Sequence, residues 1–230
     1  MVKAHSARVL FVTGTDTGVG KTVVTALLLA HLRAQGRNAL ALKPFCSGGR
    51  QDALLLDELQ DHAIPLRVVN PFSFDAPLSP LAAARLEDKP VNLQEVTRSV
   101  RRVGLQCETV LVEGAGGLLV PLTRKATVLD LIRSLRAEVL VVAANKLGTI
   151  NHTLLTVGAL EQAGLRRIKV VLVDTLQADA SASSNAEILT GKLGRMPLIQ
   201  IPYLGRDCSQ PINIRRAARK LGKKLAVLAK

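Results

Sequence analysis

Residues 14–22 read GTDTGVGKT, directly after the apolar run 9–12 and directly before a helix-compatible stretch beginning near Thr22. A glycine-rich turn between a buried strand and a helix lets backbone N–H groups curve around phosphate oxygens without side-chain obstruction. The helix start adds unpaired N–H donors and the positive end of its dipole. Gly14, Thr15, Gly18, Val19 and Gly20 then form the phosphate-cradling backbone, Lys21 reaches the β- and γ-phosphates, and the Thr22 hydroxyl meets Mg²⁺. The spacing departs from the usual form: five residues before Gly20 stands Thr15, with Gly14 one position earlier. A plain turn between strand and helix is the alternative, but strand, Gly-Lys-Thr and helix coincide here, and that context favours phosphate binding.

The rest of the chain fits the same scaffold. Apolar runs at 8–12, 39–43, 109–113, 138–144, 168–173 and 198–201 lack polar alternation and read as strands buried on both faces. Helix-compatible patterns fall between them at 22–35, 78–86, 93–103, 128–135, 152–163 and 184–193, with Gly36 and Gly164 where helices should stop. The alternation predicts an α/β fold of the P-loop type, a mostly parallel sheet with helices on both faces. No linker or repeat divides residues 1–230, so one domain is expected, with a basic helix near 212–230. The phosphate loop follows the first strand, Lys43 the second, residues 113–117 the third and 145–148 the fourth. Ligands of open parallel sheets bind outside the carboxyl ends of strands, so these segments should meet at one rim.

Composition narrows the partners. Aromatic residues are 2% of the chain, with no Trp, which predicts an aliphatic core and argues against base-stacking platforms for single-stranded nucleic acid. The net charge of +13 suits anionic ligands without choosing among them. Cys46, Cys107 and Cys208 form neither a disulfide framework nor a zinc spacing, consistent with a reducing, cytoplasmic setting. Residues 1–7 are too short and polar for a secretory leader, and no apolar run approaches the ~20 residues of a membrane helix.

Three charged residues stand out at the expected rim. Glu113 ends an apolar strand and precedes GAGG, a placement suited to a second Mg²⁺ ligand beside Thr22. Asp52 opens a helix, where it serves equally well as a cap or as a metal ligand. Lys43 ends the second strand, where a cation can neutralise charge on a transferred phosphoryl group.

Taken together, the runs 12–22 (VTGTDTGVGKT), 42–48 (LKPFCSG), 112–117 (VEGAGG) and 146–152 (KLGTINH) resemble dethiobiotin synthases. Asn70-Pro71, Ser79-Pro80 and Ile201-Pro202 also fit that pattern, and the similarity spans about residues 9 to 205. The resemblance implies a homodimer that converts 7,8-diaminononanoate, CO₂ and MgATP to dethiobiotin through a carbamate and its phosphorylated form. It places Thr17, Lys21, Lys43 and Ser47 around the carbamate and γ-phosphate, with Thr22, Asp52 and Glu113 on Mg²⁺. Pro202, in the matching Ile201-Pro202 pair, is assigned to the nucleotide, as is Asp174, which stands in for a polar residue of the family pattern. The resemblance also brings Gly148, Thr149 and Asn151 across the dimer to the substrate carboxylate, although Thr149 or Asn151 would serve locally as a helix cap. His152 reads as structural.

The chain departs from the pattern at two points. Gly18 stands where some members of the family carry Glu, and Val173 lies where several have an adenine-binding Asn, leaving Asp174 as the nearby polar group. The rival reading is a partitioning or septum-site ATPase that engages DNA or a membrane. Such proteins carry a signature lysine early in the loop, where this chain has Thr15. The tail from Arg215 to Lys230 has seven basic residues and no acid, and reads either as a solvated helix face or as a surface for acidic partners.

Overall fold

The computed structural model describes residues 7–230. The expectation of no leader over residues 1–7 lies, except for Ala7, outside the described residues. Strands β1 (Arg8–Gly14), β2 (Ala39–Leu42), β5 (Thr109–Gly117), β6 (Glu138–Asn145), β7 (Ile168–Asp174) and β8 (Leu198–Ile201) form one sheet in the order β2-β5-β1-β6-β7-β8. Every pairing in it is parallel. Strands β3 (Phe45–Ser47) and β4 (Phe72–Phe74), which the apolar patterning had not marked, form a small parallel pair outside it.

Successive strand residues face opposite sides, so an uninterrupted apolar strand feeds two cores at once. Leu10, Val12, Leu140 and Val142 join α1 (Lys21–Ala34) and α2 (Gln51–Leu59) on one face. Phe11, Val110, Val112, Val139 and Val141 join α5 (Leu93–Gly104), α6 (Val128–Leu135) and α7 (Thr149–Gln162) on the other. Before the tail, the chain also forms helices α3 (Leu66–Val69), α4 (Pro80–Leu86) and α8 (Asn185–Leu193). Helix α6 starts in a capping box, in which Thr127 and Asp130 satisfy each other's end groups.

The basic tail forms two helices, α9 (Pro211–Lys220) and α10 (Gly222–Ala229), rather than one. Ile214, Ala218, Leu225 and Leu228 are buried in the core that contains α1. Their apolar stripe is consumed by this packing, and Arg216, Arg219 and Lys220 remain exposed. Among the described residues no helix is long and apolar enough to cross a membrane.

From β1 the chain reaches β2 on one side, past β5, while β6 lies on the other. The direction of winding therefore reverses beside β1, which opens a crevice at the carboxyl ends of these strands.

Candidate functional site

The loop between β1 and α1 occupies that crevice. Gly20 caps α1 with φ +97°, a backbone state that L side chains avoid. At Gly14 an added Cβ would come within 2.8 Å of both the Asp16 carbonyl oxygen and Val19 Cγ2, and 3.1 Å from Lys21 Nζ. Glycine there lets the loop close on itself. Lys21 folds back to donate to the Asp16 carbonyl at 2.8 Å, Thr15 N–H donates to the Val142 carbonyl at 2.9 Å, and Val19 anchors the loop in the core.

Lys43 follows β2 and is buried. Its ammonium lies 2.5 Å from Glu113 Oε1 and 3.0 Å from Asp52 Oδ2. The Thr22 hydroxyl donates to the same Glu113 oxygen at 2.7 Å. Adjacency of β2, β5 and β1 brings these residues together from positions 91 apart in sequence. Asp52 lies in the first turn of α2, whose N-cap is Arg50, so its carboxylate serves the ion pair rather than the cap.

Burial lowers the affinity of both lysines for a proton. At Lys43 the Glu113 and Asp52 carboxylates outweigh it and hold the ammonium protonated above the ordinary lysine range. At Lys21 burial, followed by the positive charge of Lys43, brings the pKa to about 8. Burial also pushes the Cys46 thiol up to about 11, so this cysteine is no ready nucleophile.

A cavity of about 580 Å³ opens here. Of the residues singled out from sequence, Thr17, Gly18, Gly20, Lys21, Thr22, Lys43, Ser47, Asp52 and Glu113 line it. Gly14, Thr15 and Val19 do not line it and support the loop from beneath. Asp174 and Pro202 lie outside it, at the ends of β7 and β8. Asp174 Oδ1 accepts from Asn145 at 2.8 Å and Gln200 at 2.7 Å, while Val173 packs toward Gly20. Gly148, Thr149 and Asn151 also lie outside, where α7 starts: Gly148 caps that helix with φ +91°, the Thr149 hydroxyl is buried, and Asn151 is exposed.

The cavity has further walls that the motifs did not reveal. Pro77, Leu78 and Val120 line one side. Buried Asn70 donates to the Lys43 carbonyl at 2.8 Å and accepts from Arg50 at 3.1 Å, which fixes the turn after β2. The Asn-Pro pair at 70–71 was the available signal, but its role depends on contacts across 27 residues.

The oxygen set suits a hard divalent ion: one hydroxyl and two carboxylates. Glu113 is fully buried, and its Oε2 has no hydrogen-bond partner among the described residues. A buried carboxylate oxygen with no donor is costly unless a cation faces it, so these residues fit Mg²⁺.

The chain is similar to known proteins along most of its length. The AAA-domain family pattern matches residues 8–208. The chain is 46% identical over 220 residues to the ATP-dependent dethiobiotin synthetase BioD of Anaeromyxobacter dehalogenans strain 2CP-1, covering 94% of this chain and 96% of that protein. It is 37% identical to the protein of the same name from Bacillus subtilis strain 168, covering 86% of each. Among solved structures, the septum site-determining protein MinD from Pyrococcus horikoshii OT3, complexed with Mg-ADP, superposes with a TM-score of 0.58 at 19% identity, covering 97% of each chain. That likeness is one of fold alone. With identity of this level along nearly its whole length, the chain belongs to the ATP-dependent dethiobiotin synthetase family.

Proposed function

We propose that the protein closes the ureido ring of dethiobiotin from 7,8-diaminononanoate and CO₂, with ATP converted to ADP and phosphate. One observation carries the assignment of roles: Lys21, Lys43, Thr22, Asp52 and Glu113 line a single cavity beside the phosphate loop. One amine adds to CO₂ and loses a proton to give a carbamate. A carbamate oxygen attacks the γ-phosphorus, the bond to the β,γ-bridging oxygen breaks, and ADP leaves. The second amine attacks the carbonyl carbon, phosphate departs, and the ring closes.

The carbamate oxygen is already anionic, so the chain needs to supply position and positive charge rather than a strong base. Lys21 and Lys43 supply the charge, while Thr17 and Ser47 hold the carbamate near the γ-phosphate. Mg²⁺, held by Thr22, Asp52 and Glu113, would neutralise the phosphates and orient them for transfer. The loop backbone, with Asp174 and Pro202 farther out, takes the nucleotide.

Gly148, Thr149 and Asn151 lie outside this chain's own cavity, which supports a homodimer in which they reach the substrate carboxylate of the other subunit. Leu147 precedes the α7 cap and Leu155 lies one helical turn beyond Asn151; both are largely exposed, as a buried contact between subunits would require. Three free cysteines suit a reducing cytoplasm. Purified protein given diaminononanoate, bicarbonate and MgATP should form dethiobiotin and ADP in equal amounts. Folded, nucleotide-binding protein that makes no dethiobiotin in a single turnover would overturn the proposal.

A further inference from the structure

The Lys43 ammonium donates to Glu113 Oε1 at 2.5 Å and to the Gly114 carbonyl at 3.3 Å, and forms an ion pair with Asp52 Oδ2 at 3.0 Å. These partners hold the ammonium among the carboxylates and away from an anion in the cavity. The Thr22 hydroxyl ends on the same Glu113 oxygen. The ammonium thus stands where the hydroxyl and the two carboxylates assigned to the metal converge, and the inference rests on that assignment.

A divalent ion bound by these carboxylates needs oxygens at about 2.0–2.1 Å. An ammonium within 3.0 Å of Glu113 Oε1 and Asp52 Oδ2 leaves Glu113 Oε2 open to that ion but repels it as a second cation. That repulsion favours one cation at a time close against the two carboxylates. A lysine is suited to such exchange, because its compact charge sits on a flexible four-carbon stem.

We propose that Lys43 is the resident counter-cation of Asp52 and Glu113 and exchanges with the divalent ion, so that metal loading frees its ammonium for the transferred phosphoryl group. Glu113, fully buried, thereby keeps a cationic partner at each stage. The exchange also makes nucleotide and metal binding mutually supportive, since phosphate oxygens receive the displaced ammonium.

The test is Mn²⁺ binding without nucleotide, followed by electron paramagnetic resonance. Lys43→Ala and Lys43→Met should bind Mn²⁺ at least about tenfold more tightly than the unaltered protein. Methylammonium should return Lys43→Ala toward the original affinity, whereas tetramethylammonium at equal ionic strength should not. Unchanged or weaker Mn²⁺ binding in folded variants overturns the exchange. If neither variant folds, lysine-selective ¹⁵N NMR of the unaltered protein decides: the protected Lys43 ammonium signal should shift or vanish with Mg²⁺ and ADP, and a constant signal overturns the proposal. Glu113→Gln separates the two levels. Should it leave Mn²⁺ binding in the presence of ADP unchanged, the metal assignment falls and the exchange with it. Should it weaken that binding while Lys43→Ala changes nothing, only the exchange falls.

Discussion

Thr22 donates its hydroxyl to Glu113 Oε1 at 2.7 Å, tying the first turn of α1 to the middle of β5. Replacing that hydroxyl by a methyl group, Thr22→Val, keeps the shape and removes one proposed metal ligand. Turnover should fall on the order of 100-fold, with thermal unfolding changed by only a few degrees. Steady-state rates across a Mg²⁺ titration check this, and an unchanged rate would show that the hydroxyl has no part in metal or phosphate binding.

Gly14 and Gly18 separate two kinds of glycine requirement within one loop. Gly14→Ala places a methyl group 2.8 Å from Asp16 and Val19, so the loop must shift, and nucleotide affinity should drop at least about tenfold. At Gly18 a Cβ meets nothing within 4 Å, and only the φ of +72° opposes it. Gly18→Ala should cost about 1 kcal/mol of stability and change affinity little. Calorimetric titration with a non-hydrolysable ATP analogue distinguishes them; equal affinities for the two variants would contradict the packing argument.

Acid stability should depend on Glu138 at the start of β6. Burial raises the pKa of this carboxylate, but hydrogen bonding and charge from Arg8, with further charge from Arg167, hold it below its ordinary value of 4.5. The unfolded state therefore binds the proton first on acidification, so the contribution is complete above 4.5 and disappears as pH falls through the folded value. Glu138→Gln should be less stable at neutral pH by about 1 kcal/mol, with the difference closing in acid. Denaturant melts at pH 7 and below pH 4 provide the comparison; a gap that widens in acid would reverse the assignment.

The C-terminal helices should matter through their apolar stripe rather than their charge. Ile214→Ala or Leu225→Ala empties a fully buried position and should cost about 2–4 kcal/mol. Exposed Arg216 and Arg219 replaced together by Gln should change stability by no more than about 0.5 kcal/mol. Urea unfolding measures both, and a large loss from the arginine pair alone would refute this division.

Much of this molecule is written locally. Apolar runs located the six strands of the main sheet, because a strand buried on both faces tolerates no polar alternation, and the GKT motif located the phosphate loop through backbone chemistry confined to nine residues. The expected ends shifted where pairing extends them: β5 runs on past Glu113 because Gly117 pairs with Gly14 of β1. The brief strands β3 and β4 escaped notice, since three residues are too few to establish a period.

What tertiary structure decided is which distant residues meet. Nothing near position 43 announces that its ammonium will bridge Asp52 and Glu113, or that Asn70 will clamp the carbonyl beside it. Nor does the charge pattern of the tail show whether its leucines face a membrane or α1. Periodicity and turn chemistry act over a few residues and so survive in the sequence itself. Strand order, ion pairing and helix docking depend on long-range closure of the chain, and exist only once β5 has inserted between β1 and β2.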